Sequence, residues 1–320
     1  MNVFISDCDH ESVDIERDVL RAITNDVQWL SCSTEEEVIE QCKEADGVIV
    51  QYAPFTRKVF ENLPNLKVIA RYGVGVDTID LQAASEHGVQ VCNVPDYGVN
   101  EVSDHAFALI MALARKIVLM NESVKRNEWD YQKSIPIHRL EEQTLGVIGL
   151  GRIGNALAEK AHGLGMDVIG FDNSRGRKYF PSFVKSVSFE ELLRKSDIIS
   201  IHIPLNEATR DLISTREFQL MKDGAYIVNT SRGGIIDEEA LVEALEQKQI
   251  AGAALDVFEK EPPLNKKLFQ FDNFIGTPHM AWYSIEASQE LKRKAAEEVV
   301  RVLTNKQPEY PVNELLVDKA

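Results

Sequence analysis

The sequence changes its hydrophobic rhythm on a regular beat. Short β-branched runs (NVFIS, VQWLS, GVIVQY, LKVIARY, VQVCNVP) alternate with amphipathic stretches (IERDVLRAI, STEEEVIEQC, TRKVFENL, TIDLQAASEHG). Near Pro95 the rhythm breaks, and a second series opens with TLGVIGL and runs through DVIGFD, DIISIHI, AYIVNTS, IAGAALDVF and NFIGTP. Parallel strands need crossovers, and an amphipathic helix makes the crossover while covering one face of the sheet. The order therefore predicts an α/β chain with parallel sheets wrapped by helices. Strands of the second series are nearly all apolar, as they must be when both faces of a sheet are covered. A chain of 320 residues also exceeds the size at which one core keeps growing, so two domains are expected.

Three stretches give further local detail. Ser33-Thr34-Glu35-Glu36-Glu37 has the form of a helix N-cap followed by an acidic first turn. From about Asn100 to Trp129 the pattern reads as one long helix whose apolar face is too wide for a surface helix. Such a helix either crosses between domains or forms a subunit interface. A final helix, about Ser284 to Thr304, follows the second series after it is complete.

Composition excludes several classes of function. With 44% hydrophobic and 27% charged residues the chain is an ordinary globular protein rather than a disordered or fibrous one. A net charge of -16 argues against nucleic acid and against anionic membranes as partners, because both need clustered Lys and Arg. No run is apolar for long enough to span a bilayer, and the acidic start MNVFISDCDHESVD does not read as a secretory signal. Cys8, Cys32, Cys42 and Cys92 are scattered without metal-binding spacing, so reduced thiols in a cytoplasmic protein, and no metal, are expected.

Gly149-Leu150-Gly151-Arg152-Ile153-Gly154 lies between the strand TLGVI and the helix NALAEKA. In that context the glycines serve a tight turn, close backbone approach to a pyrophosphate and close packing of helix on strand, while the helix N-terminus offers N–H groups to phosphate. Asp172 ends the next strand about 20 residues on, where an acid binds the adenosine ribose diol. Strand, glycines, helix, strand and acid in this order indicate a dinucleotide. Asp172 repels a 2′-phosphate, which favours NAD, although Arg175, Arg177 and Lys178 follow closely and offer compensating charge.

Reducing a carbonyl with such a cofactor needs a proton donor, a partner that tunes it and a cation for the substrate. Arg232 stands in NTSRGG just past a strand, where its guanidinium can hold a carboxylate; a turn-capping surface arginine is the plain alternative. Glu261, before Pro262, suits a carboxylate that orients an imidazole, and spacing alone does not separate it from Glu259. His279, in TPHMAWYSIEAS, is the candidate proton donor, with a hydrogen-bonded structural histidine as the alternative. His202 ends a strand near the cofactor motif, whereas His10, His87, His105, His138 and His162 have no companion motif.

Taken together, GLGRIG, Asp172, HIPLNEAT, NTSRGGIID, AALDVFEKEP and TPHMAW resemble the D-isomer-specific 2-hydroxyacid dehydrogenases over nearly the whole chain. The resemblance implies two Rossmann-like or flavodoxin-like domains, with an NAD-binding domain (99–286) inserted in a substrate domain (1–98 and 287–320). It implies an active site in the cleft between them, closing near Pro95 and Ala281. It makes His279 the general acid/base, pairs it with Glu261 rather than Glu259, and gives Arg232 the 2-oxo acid. The cofactor set it implies is Gly149, Gly151, Arg152, Ile153, Gly154 and Asp172, together with His202, Pro204, Thr209, Thr230, Ser231, Arg232, Asp256 and His279. ARYGVGVDTID resembles the substrate loop, with Tyr72, Gly73 and Val74 in contact through backbone or side chain and Arg71 near the carboxylate. The long helix resembles the dimerisation segment of the family, so a homodimer is expected.

Within the family, AWYSIEAS and VCNVPDYGVNEVSDHA are most similar to the C-terminal-binding-protein-like branch, where a tryptophan in the position of Trp282 lines the substrate pocket; hinge packing is the other reading of that residue. Tyr72 and Trp282 as aromatic walls suggest a 2-oxo acid with an apolar or thioether side chain. The alternatives are an NAD(H)-sensing, corepressor-like interaction protein, a phosphoglycerate dehydrogenase and a hydroxypyruvate or glyoxylate reductase.

Overall fold

The computed structural model describes residues 1–173, 180–264 and 266–316. Arg175, Arg177 and Lys178 lie outside the described residues. The chain divides into two compact units, Met1–Gly98 together with the chain from Ser284 onward, and Val99–Tyr283.

In the first unit, β1 (Val3–Ile5), β2 (Val27–Trp29), β3 (Gly47–Val50), β4 (Val68–Arg71) and β5 (Gln90–Cys92) form a parallel sheet in the order β2-β1-β3-β4-β5. Strand order reverses between β1 and β3, the place where open sheets of this kind leave a crevice at their carboxyl ends. The connecting helices are α1 (Asp14–Leu20), α2 (Glu35–Gln41), α3 (Arg57–Asn62) and α4 (Leu81–Glu86). The expected start of α2 is present as a capping box: the Thr34 hydroxyl accepts from the Glu37 N–H and the Glu37 carboxylate accepts from the Thr34 N–H.

The second unit begins with two helices where the sequence reads as one. α5 (Val99–Ala114) is followed by Arg115, Lys116 takes the left-handed conformation (φ 51°), and α6 (Ile117–Lys125) starts after it. No glycine or proline marks the break, so the apolar pattern runs straight through it. The two helices also differ in burial. Ala106, Leu109, Ile110 and Leu113 of α5 are buried, whereas α6 leaves Ile117, Val118 and Val124 exposed.

Behind α5 stands a parallel seven-stranded sheet. Its strands are β6 (Thr144–Ile148), β7 (Asp167–Phe171), β8 (Lys185–Ser186), β9 (Ile198–Ile201), β10 (Tyr226–Asn229), β11 (Gly252–Leu255) and β12 (Phe274–Gly276), in the order β12-β11-β10-β9-β6-β7-β8. Alternation along the strands divides two cores. Leu145, Val147, Val168 and Val228 pack with α5 and with α7 (Arg152–Gly163). Ile148, Ile169, Ile199, Ile201 and Ile227 pack with α8 (Phe189–Lys195), α9 (Thr215–Leu220) and α10 (Glu238–Glu246). Each of these aliphatic side chains contributes roughly 1.5–3 kcal/mol on burial, which explains why the strands carry almost no polar residue. Finally α11 (Ile285–Leu303), capped by the Ser284 hydroxyl, returns to the first unit and packs on α1, β3, β4 and β5.

Candidate active site

The loops that leave the carboxyl ends of β6, β7, β9, β10, β11 and β12 carry Gly149–Gly154, Asp172, His202, Arg232, Asp256 and His279 in turn. All strands are parallel, so these residues lie along one edge of the second sheet, the ligand edge of such folds.

The three motif glycines are used differently. Gly149 has φ +91°, and a Cβ there would lie 2.4 Å from the His202 carbonyl oxygen. At Gly154 a Cβ would lie 2.0 Å from the Gly149 carbonyl oxygen, so only glycine lets α7 approach the turn. Gly151, the N-cap of α7, is exposed, and apart from its chain neighbours no atom of the described residues lies within 4 Å of where its Cβ would stand. Open space there, with the N–H groups of Arg152 and Ile153 in the first turn, is the cradle a pyrophosphate fits. The Asp172 carboxylate is held in place by the Leu150 N–H (2.9 Å). These residues fit NAD.

Around that edge the remaining expected residues are less uniform. His202 donates its backbone N–H to Ile148 and pairs its Nε2 with the Ser200 hydroxyl at 2.8 Å; burial lowers its pKa to about 4, so the ring stays neutral. The Thr209 hydroxyl donates to the carbonyl of Pro204, closing its own loop. The buried Thr230 hydroxyl finds no partner among the described residues. Asp256, expected at the cofactor, has a carboxylate that is 1% exposed and takes hydrogen bonds from the Thr277 hydroxyl (2.6 Å) and the backbone N–H groups of Met280 and Ala281 (3.0 and 2.9 Å). A carboxylate committed in this way is a scaffold for the segment that carries His279.

That segment is strained at one residue. His279 itself sits at φ 50°, an uncommon conformation for a side chain larger than glycine. Its N–H donates to the carbonyls of Asp256 and Thr277, and with the Asp256 carboxylate on either side of the turn the conformation is overdetermined. The outcome is a ring turned to Glu261, with Nδ1 2.6 Å from Oε2. Glu261 Oε1 accepts from the Phe258 N–H at 3.1 Å. Burial alone raises the pKa of the Glu261 carboxyl, but the hydrogen bond and charge of His279, the Phe258 N–H and the nearby Arg232 outweigh it and hold it below the usual carboxylate range. Both side chains line an apolar cavity of about 350 Å³ walled by Phe258, Pro262, Phe269 and Pro278. Spacing did not separate Glu261 from Glu259, but geometry does.

Arg232 is placed by a turn built on Asn229. Buried Asn229 accepts from the Ser231 N–H and hydroxyl with Oδ1 and donates from Nδ2 to the Arg232 carbonyl. Asn followed two residues later by Ser is the signal, a side-chain-closed turn. Gly233 next to it is packed as closely as a residue can be: a Cβ would lie 1.8 Å from the Phe258 carbonyl oxygen. The pair Gly233-Gly234 therefore matters more than a flexible loop would suggest, because it lets the Arg232 loop lie against the loop of Glu261.

The expected substrate loop belongs to the first unit. Arg71 folds over Gly73, whose Cβ would meet its guanidinium at 2.0 Å, and Val74 is exposed with its carbonyl bound by Asn93. Tyr72 departs from expectation. Its ring is 2% exposed and its hydroxyl donates to Glu16 Oε1 at 2.7 Å, so it is turned into the unit beside α1 and forms no aromatic wall; only its backbone remains for a ligand. Burial raises the pKa of Glu16, with the Tyr72 hydroxyl opposing it. Trp282 is half-buried with its ring edge-on to Tyr283. Among the described residues no helix is long and apolar enough to cross a membrane, and no cluster of His, Cys, Asp or Glu is arranged to hold a metal ion.

A glycine-cradled helix N-terminus, a strand-end acid and a paired histidine on one sheet edge define a dinucleotide-binding protein of the dehydrogenase kind. Residues 107–281 match the family model of the D-isomer specific 2-hydroxyacid dehydrogenase NAD binding domain. The chain is 43% identical over 288 residues, 88% of its length, to a D-3-phosphoglycerate dehydrogenase of Methanocaldococcus jannaschii, of which it spans 54%. It is 37% identical over 285 residues to a glyoxylate reductase of Thermococcus litoralis, with 86% of each chain covered. Among solved structures an acyclic imino acid reductase in complex with NADPH and D-Arg is similar with a TM-score of 0.89 at 30% identity, covering 98% of this chain and 100% of the other. The chain belongs to the D-isomer specific 2-hydroxyacid dehydrogenase family and carries its NAD binding domain.

Proposed function

We propose that this chain is an NAD-dependent D-2-hydroxyacid dehydrogenase in which a small 2-oxo acid, NADH and a proton become the D-2-hydroxy acid and NAD, reversibly. The observation that carries this reading is the 2.6 Å contact between His279 and Glu261 beside Arg232, on the sheet edge that also bears the glycine cradle. When bound, NADH supplies the hydride. Arg232 holds the substrate carboxylate in its planar guanidinium and polarises the adjacent carbonyl. His279 gives a proton to the carbonyl oxygen from the ring nitrogen facing away from Glu261, and the Glu261 carboxylate stabilises the imidazolium that must exist beforehand. Residues 1–98 with the chain from 287 serve the substrate and residues 99–286 the cofactor, with Arg71, Gly73, Val74 and the backbone of Tyr72 on the substrate side.

Asp172 supports NADH over NADPH, since its fixed carboxylate repels a 2′-phosphate. Relatives named for phosphoglycerate and glyoxylate support a small 2-oxo acid. The buried Tyr72 ring withdraws one of the two aromatic walls expected to favour an apolar side chain, which leaves Trp282 and the sequence likeness to the C-terminal-binding-protein-like branch in its support. Exposed apolar side chains from Ile117 through Trp129 and Tyr131 to Ile135 support a homodimer, and four free thiols support a reducing cytoplasm. Light scattering is expected to give twice the 36.0 kDa chain mass; a monomer contradicts the dimer.

Initial rates of NADH and NADPH oxidation over glyoxylate, hydroxypyruvate, 3-phosphohydroxypyruvate, pyruvate and longer apolar 2-oxo acids test the reading. The expected result is turnover of one of the small acids, faster with NADH. Tight NADH binding with no turnover of any of them identifies a sensing protein instead.

A further inference from the structure

We propose that Glu238, the first residue of α10, is a positioning residue that keeps Glu261 aligned on His279. Glu238 is buried, and its Oε1 accepts the N–H of Glu259 at 2.7 Å. Glu259 follows Phe258, whose own N–H is held by Glu261 Oε1 and whose carbonyl lies against Gly233. The short segment 258–261 is thus fixed at adjacent peptides by Gly233 and Glu238, and both belong to the stretch that starts at Arg232. One stretch of chain therefore sets the register between Arg232 and Glu261.

Placement of this acid is costly. Burial raises its pKa, the Glu259 N–H opposes that, and the charges of Glu259 and Glu239 raise it further. A buried acid next to two others is a poor source of stability, so its use lies in the geometry of the acceptor it presents. Without that acceptor the Glu259 N–H is left unpaired and the segment bearing Glu261 relaxes toward solvent. The inference rests on the proposed dehydrogenase reaction, in which loss of the Glu261 contact weakens proton delivery rather than cofactor binding.

Two variants test it. Glu238→Gln keeps a carbonyl oxygen at the acceptor position and Glu238→Ala removes it. For Glu238→Ala the expected kcat with the best 2-oxo acid falls about 5- to 30-fold, the effect of one buried hydrogen bond, while KM and the NADH dissociation constant stay within about twofold. Glu238→Gln is expected to retain kcat within about twofold. Crystal structures of both are expected to show the His279–Glu261 contact kept in the glutamine variant and opened in the alanine variant. Wild-type kcat and an intact contact in Glu238→Ala overturn the proposal, as does a glutamine variant that falls as far as the alanine one. If the wild-type protein reduces no 2-oxo acid, the functional reading fails, and the contact in the two crystal structures still decides the positioning.

Discussion

Replacing His279 with alanine is expected to lower kcat/KM for the preferred 2-oxo acid by about 10²- to 10⁴-fold, the usual contribution of a positioned general acid, while NADH binds with unchanged affinity. Separation of the two effects follows from placement. His279 and Glu261 stand on the loops after β12 and β11, whereas the glycine cradle and Asp172 follow β6 and β7. Removing the imidazole takes away proton delivery and leaves the phosphate and ribose contacts in place. Fluorescence titration with NADH and steady-state kinetics on the same sample check both halves. Full activity in His279→Ala removes the residue from the mechanism, and lost NADH affinity moves it into the nucleotide site.

The second large effect is expected at Gly233. A methyl group there would lie 1.8 Å from the carbonyl oxygen and 2.0 Å from the carbonyl carbon of Phe258, both backbone atoms with no rotamer to yield. Gly233→Ala must therefore push apart the loops bearing Arg232 and Glu261. The expected cost is about 3 kcal/mol of stability, the upper end for overpacking, together with loss of most turnover because two functional groups separate at once. Gly151→Ala makes the control, since apart from its chain neighbours no atom of the described residues lies within 4 Å of its would-be Cβ. It is expected to leave thermal stability nearly unchanged and to weaken NADH binding. Thermal unfolding and NADH titration of both variants are the checks; a Gly233→Ala protein as stable and active as wild type contradicts the close approach.

Much of this was legible in the sequence because the motifs name backbone requirements. GLGRIG between a strand and a helix specifies a turn, a cradle and a contact, and each of its glycines has one of those surroundings. The order of βα units likewise specifies parallel sheets, since alternation of covered strands and amphipathic helices leaves few other solutions. Tertiary choices were not legible. Whether Tyr72 turns outward or into its own unit depends on Glu16, 56 residues earlier in the chain. Asp256 and Asp172 both follow strands, yet the Asp256 carboxylate holds backbone N–H groups of a loop more than 20 residues later. The break at Lys116 has no breaker residue, so periodicity ran across it. Glu238 left no mark because its partner is a backbone N–H, and a residue's sequence context does not show which backbone it will meet.

In the proposed reaction His279 delivers a proton to a 2-oxo acid held by Arg232 at the NAD site, with one face of the carbonyl presented. Chiral chromatography of the product formed from NADH and the best small 2-oxo acid tests it most directly. The D-2-hydroxy acid alone is expected from the wild-type protein and almost none from His279→Ala. An L or racemic product, or undiminished D product without His279, contradicts it.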